Sequence, residues 1–240
     1  TTSRHYYSNP EQYEKSFIKS FEMFYGDISD YCILALLPSY LEQKHSSLIY
    51  MVKRLIELSN QSDSGFYLYN YDELNRKLWE NERAGRKTML FGVTFALLDL
   101  AEKFSFNLKN TIVMETGGMK GRRREMVREE LHAILCRGFG VGQIHSEYGM
   151  TELFSQAWSK GSGIFTTPPW MKILIRDIND PGTYLSSRKT GGINVVDFAN
   201  TDSCSFIATQ DLGRMNDDES FEVLGRFDNS DVRGCNLLIN

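Results

Sequence analysis

Apolar positions in the first half of the chain alternate between two habits. Tyr13, Phe17, Phe21 and Phe24 recur at helical spacing behind Asn9-Pro10, so residues 10–28 read as an amphipathic helix with a capped start. Cys32–Leu37 is instead a continuous apolar run stopped by Pro38, the mark of a strand buried on both faces of a parallel sheet. The same pairing repeats downstream. A helix is expected over 46–58, a short strand over 65–69, a polar helix over 72–83 and a buried strand over 88–93, with the helix TFALLDLAEKF behind it. Strand 110–114 precedes helix 123–135, and strand 141–145 precedes the run Ile144–Leu153, IHSEYGMTEL. Such alternation builds βα units on a parallel sheet with flanking helices.

After residue 150 the pattern changes. A long polar loop is expected first, then short strands over 170–177, 192–197, 205–208 and 221–223, separated by Gly, Asp and Asn turns. These predict a small antiparallel sheet or distorted barrel, and so an α/β chain divided into 1–155 and a β-rich part at 156–240. Phe91, Phe95 and Leu98 are apolar enough to line an acyl pocket, although their spacing also suits plain core.

Bulk properties narrow the function classes. The 240 residues are 41% hydrophobic and 24% charged, ordinary globular values. A net charge of −4 supplies no global basic field to gather nucleic acid. No apolar run approaches the roughly 18 residues that span a bilayer. Cys32, Cys136, Cys204 and Cys235 are widely spaced without a CxxC pair, which fits a reducing cytoplasm. The first residue is threonine, so the sequence reads as processed or as beginning part-way along a longer chain.

Chemistry-bearing residues cluster where strands end. Tyr148, Gly149, Met150, Thr151 and Glu152 place an aromatic face, close backbone approach, a hydroxyl and a carboxylate in succession, a set suited to base, phosphate and divalent cation. Thr116-Gly117-Gly118-Met119-Lys120-Gly121 follows a strand and precedes a helix, where α/β folds bind ligands. It is neither GxGxxG nor a Walker loop, and it also reads as a plain βα turn. Lys120 and Arg122–Arg124 suit a phosphate, a pyrophosphate or an acidic partner, although such a run is more often a solvated helix face. Asp211-Leu212-Gly213-Arg214 and Gly225-Arg226 with Asp228 read as polar turns. Cys235 lies two residues after Arg233, whose cation would favour a thiolate; a terminal cysteine is otherwise an inert core residue. His45 suits a base or an idle helix start. His132 and Cys136 share a helix face without a second ligand pair, which argues against a metal site.

Taken in order, TTS, GG, YGMTE, TQDLGR and a final GR resemble the adenylate-forming superfamily of acyl-CoA synthetases, adenylation domains and firefly luciferase. TQD stands where that superfamily has TGD, and the aspartate is retained. TTSRHYYSNPEQYEKSF, METGGMKGRRREM and SDVRGCNLL are most similar to the acyl-protein synthetases of bacterial bioluminescence operons, the LuxE type. The resemblance covers most of the chain. It implies that an N-terminal part precedes Thr1 and that the C-terminal lid domain is absent.

The resemblance also implies roles. Thr1, Thr2 and Ser3 would hold ATP phosphates, Gly117, Gly118 and Met119 would line the adenine pocket, and Tyr148 beside Gly149 would stack on the base. Thr151 would meet the α-phosphate, Glu152 would hold Mg²⁺, Asp211 would take the ribose hydroxyls and Arg226 would assist. Cys235 would accept the acyl group and pass it to a reductase or acyltransferase partner. An acid–CoA ligase of the phenylacetate type and a non-catalytic nucleotide-binding scaffold are the alternatives.

Overall fold

The computed structural model describes residues 5–6, 9–38, 46–117 and 126–227. Helix α1 (Pro10–Tyr25) begins where the Asn9 side chain accepts the Glu11 N–H at 3.0 Å, and it ends at Gly26 with φ +87°. Its stripe of Tyr13, Phe17 and Phe21 is buried, as the spacing predicts. Strands β1 (Cys32–Leu36) and β3 (Thr88–Gly92) are buried at every position and pair in parallel, from Cys32 opposite Thr88 to Leu36 opposite Gly92. A strand covered on both faces has no polar side to show, hence its unbroken apolar sequence.

Around them lie α2 (Ser47–Ser59), β2 (Gly65–Phe66), α3 (Tyr71–Arg83), α4 (Thr94–Lys103), β4 (Thr111–Glu115), α5 (Arg128–Phe139) and β5 (His145–Tyr148). Strands β2, β1, β3, β4 and β5 form the parallel half of the sheet in that order. The sheet then continues without a break through β6 (Ala157–Ser159), β7 (Ile164–Thr166), β11 (Phe221–Arg226), β10 (Phe206–Met215), β9 (Gly191–Asp197) and β8 (Met171–Arg176). Every pairing from β5 onward is antiparallel. The α/β architecture and its antiparallel extension are as expected. The two halves belong to one eleven-stranded sheet.

Several local expectations are corrected. The loop after residue 150 contains β6 and β7, each only three residues long and too short to show a period. Strand β5 starts at His145 and runs through Tyr148, later than 141–145. Asp211–Arg214 lies inside β10, and Gly225-Arg226 inside β11, so neither is a turn. Glycine and charge disguise these strands, which are held by cross-strand pairs: Arg214 donates to both Glu222 oxygens at 2.8 and 2.9 Å. A register shift between Leu212 and Gly213 further breaks the alternation.

Two buried clusters result. One gathers α1–α5 around the parallel strands and includes Phe91, Phe95 and Leu98, which sit in the core. The other lies within the antiparallel half around Tyr148, Phe165, Ile193 and Phe221. No described helix is long and apolar enough to cross a membrane.

Candidate functional site

The parallel strands β4 and β5 end at Glu115 and Tyr148, and the candidate residues gather beyond those ends. Tyr148 is 8% exposed, with its ring edge-on to Phe165 and Phe221 at centroid distances of 6.0 and 5.6 Å. Its hydroxyl donates to Asp211 Oδ2 at 2.8 Å. Burial first, and then the Asp211 charge, hold this phenol well above its ordinary pKa, so it remains a donor. Asp211 faces Arg226 in the register of β10 and β11, with Arg226 Nε 3.4 Å from Oδ1. The Asp211 N–H is itself fixed by Thr209 Oγ1 at 3.0 Å. Three stretches that are distant in sequence therefore share one carboxylate.

A second assembly ties the two strand ends together. Glu115 is 4% exposed; one oxygen accepts the Gly117 N–H at 2.7 Å and the Thr94 hydroxyl. Its other oxygen lies 3.8 Å from Arg128 Nη1, which also donates to Ser146 at 3.3 Å. The Arg128 guanidinium lies 5.2 Å from the Phe165 ring centroid. Gly117 has φ +76°, a conformation that glycine adopts without strain. Glu115 and Arg128 were not singled out from sequence. The signal was there in Glu115, a carboxylate closing a buried apolar strand just before the glycine turn.

Glu147, also unanticipated, explains the next glycine. A Cβ on Gly149 would come within 2.3 Å of Glu147 Oε1, so a side chain here would displace the carboxyl. Burial, and then the Glu115 charge, push the Glu147 carboxyl up to about 8. Between its ordinary value of 4.5 and that value, the folded chain holds a proton that the unfolded chain releases. The stability contributed by this group therefore falls as pH rises through that window, and is lost above it. Glu147→Gln is expected to be the more stable chain at pH 8.5 by about 1 kcal/mol or more, and nearly equal to the parent at pH 4.5. Urea unfolding at the two pH values measures this. His145, lowered to about 4 by burial and then Lys160, titrates in the opposite sense but identically in both chains.

Thr151 and Glu152 are partly buried in the turn that follows, closed by Leu153 N–H to Met150 O at 3.1 Å. His5 Nδ1 lies 3.0 Å from the Thr151 carbonyl, and its ring is 5.3 Å from Phe154. The segment near the N-terminus thus meets the YGMTE turn. Thr1, Thr2, Ser3, Gly118, Met119, Lys120, Arg122–Arg124, His45 and Cys235 lie outside the described residues. Among the described cysteines, burial raises Cys32 and Cys136 above their ordinary values, disfavouring thiolate. Among the described residues, no cluster of three or more His, Cys, Asp or Glu could hold a metal. Cavities of about 430 and 410 Å³ lie at the other end of β5, around Gln143, and include none of these candidate residues.

The architecture has solved counterparts. It matches MatB from Rhodopseudomonas palustris, solved with ATP bound, at TM-score 0.64 and 16% identity, over 90% of this chain and 44% of that one. It also matches O-succinylbenzoate Coenzyme A Synthetase (MenE) from Bacillus subtilis, in complex with ATP and magnesium ion. There the TM-score is 0.62 and the identity 18%, over 92% of this chain and 46% of that one. The chain shares the fold of part of these solved proteins. It spans less than half the length of the solved chains it matches. No family model and no curated protein sequence matches it.

Proposed function

We propose that this chain is part of an ATP- and Mg²⁺-dependent enzyme that activates a carboxylic acid, a fatty acid in our reading, as acyl-AMP and moves the acyl group to Cys235. The observation that carries the reading is the meeting of Tyr148, Asp211 and Arg226, with the hydroxyl 2.8 Å and the guanidinium 3.4 Å from one carboxylate. Those residues come from YGMTE, TQDLGR and the final GR, three separate stretches of sequence that meet at one carboxylate. The likeness to solved ATP-bound synthetases supports it.

Asp211 suits the ribose: its carboxylate accepts from the phenol and has lone pairs left for two vicinal hydroxyls. Gly117, Gly118 and Met119 line the base, with Tyr148 and Gly149 beside it. Glu152 fits Mg²⁺ as a single carboxylate, because that ion commonly takes one or two protein carboxylates and completes its shell with phosphate oxygens and water. Thr151 reaches the α-phosphate, while Thr1, Thr2 and Ser3 hold the outer phosphates. The acid's oxygen would attack the α-phosphorus as the bond to pyrophosphate breaks, and a Mg²⁺ held by Glu152 would supply charge to offset that of the leaving group. The Cys235 thiolate then attacks the acyl carbon, AMP departs, and a thioester remains for a reductase or acyltransferase partner. A reducing cytoplasm would keep that thiol available.

The named function of MenE as a coenzyme A synthetase favours a second reading, in which coenzyme A and not Cys235 takes the acyl group. Intact-mass measurement of the full-length chain with ATP, Mg²⁺ and mixed fatty acids decides between them. A hydroxylamine-labile adduct supports transfer to the protein; AMP release only when coenzyme A is added supports the ligase. Absence of both, with no ATP–pyrophosphate exchange, overturns adenylation.

A further inference from the structure

The turn that carries Thr151 and Glu152 leaves β5 and crosses to β6 without belonging to either strand, yet its backbone is held residue by residue. Asn200 Nδ2 donates to the Glu152 carbonyl at 3.1 Å and to the Cys204 carbonyl at 2.8 Å. The Phe154 and Ser155 N–H groups both donate to Asp197 Oδ2, at 2.8 and 2.9 Å, and the Ser155 hydroxyl donates to Oδ1 at 2.6 Å. Ser155 also meets Ser16 of α1 at 3.1 Å. Asp197 closes β9 and is fully buried at 0% exposure, as is Asn200. Among the described residues no lysine or arginine forms an ion pair with Asp197.

A buried carboxylate without a cation is costly unless hydrogen bonds satisfy it. Of the bonds to the Asp197 carboxylate, only that from the Ala199 N–H, at 3.1 Å, serves the turn after β9. The other three bonds to that carboxylate all come from Phe154 and Ser155, more than forty residues earlier in the chain. The carboxylate is therefore spent chiefly on the segment just behind Glu152, and Asn200 grips Glu152 by its own carbonyl. A divalent ion with near-ideal octahedral demands is served only by a carboxylate held in place.

We infer that Asp197 and Asn200 are positioning residues that set the Thr151–Glu152 turn for the metal–nucleotide. This rests on the adenylation reading for its catalytic consequence, though not for the clamp itself. Neither residue touches the ATP or the acid; they act through the backbone of the turn.

The test uses the full-length chain and the variants Asn200→Ala, Ser155→Ala and Asp197→Asn. In ATP–pyrophosphate exchange, Asn200→Ala is expected to raise the Mg²⁺ concentration for half-maximal rate roughly 10-fold, as loss of an orienting partner does. It should also lower kcat roughly 10-fold through misplacement of the turn, with KM for the acid unchanged. Amide hydrogen exchange at Phe154 and Ser155 should quicken at least about 10-fold in Ser155→Ala and Asp197→Asn, reflecting a local opening cheaper by about 1.4 kcal/mol. If Asp197→Asn does not fold, Ser155→Ala, which removes the 2.6 Å bond and the Ser16 contact but keeps both N–H donors to Asp197, carries that arm. Folded variants with parental Mg²⁺ dependence and kcat overturn the positioning role, as does a rate loss that only tracks the unfolded fraction. A parent chain without exchange activity overturns the adenylation reading instead. The clamp is then judged by amide exchange, and unchanged protection overturns it.

Discussion

Replacing Cys235 by serine is expected to abolish the hydroxylamine-labile acyl adduct while ATP–pyrophosphate exchange continues. The two observables separate because the chemistry has two stages. Exchange requires only that the acid's oxygen reach the α-phosphorus and that pyrophosphate leave and return, steps in which a thiol takes no part. Adduct formation requires a nucleophile on the protein. A thiolate is strongly nucleophilic near neutral pH, whereas a serine hydroxyl needs an adjacent base to be activated. Intact mass with ATP, Mg²⁺ and fatty acid, read beside exchange of labelled pyrophosphate, measures both stages. An adduct persisting at parental level in Cys235→Ser would assign the acceptor elsewhere. Cys204, the exposed thiol among the described residues, would be the next position to test.

Asp211→Asn is the second large effect expected. The substitution keeps shape and leaves an acceptor for the Tyr148 hydroxyl now 2.8 Å away, so the buried phenol keeps a partner and the fold is preserved. What goes is the charge. A hydrogen bond to a charged group contributes about 1.5–3 kcal/mol, and two ribose hydroxyls are assigned to this carboxylate, so KM for ATP should rise by about 100-fold or more. The Arg226 guanidinium, 3.4 Å away, loses its ionic partner in the same change. In the proposed reading the acid meets the α-phosphorus and not the ribose, so its KM should stay near the parental value. Steady-state exchange kinetics over both substrates read the split. An unchanged KM for ATP would remove Asp211 from the nucleotide site and leave it as a strand-to-strand tie between β10, β11 and Tyr148.

Some of this was legible before any coordinates. Unbroken apolar runs such as Cys32–Leu36 and Thr88–Gly92 announce strands covered on both faces, because only a doubly buried strand can dispense with polar positions. Helices α1 and α2 were equally plain, since their apolar spacing reflects one buried face. The linear order of YGMTE, TQDLGR and GR named the residues worth watching.

Folding decided what those residues do to one another. No local pattern marks β10 and β11 as paired, because Gly213, Gly225 and the charges of Arg214 and Glu222 replace alternation with cross-strand contacts. Only that pairing carries Arg226 to Asp211 and Asp211 to Tyr148. Two of the carboxylates that brace the site, Asp197 and Glu147, were equally silent in sequence. Asp197 reads as the end of one more strand until Phe154 and Ser155 are seen donating to it, and no local pattern marks Glu147 as a carboxyl that burial raises to about 8. Period and capping depend on neighbours within a few residues, which the sequence states directly. Hydrogen bonds across more than forty positions, and the pKa values that burial sets, exist only once the chain has closed on itself.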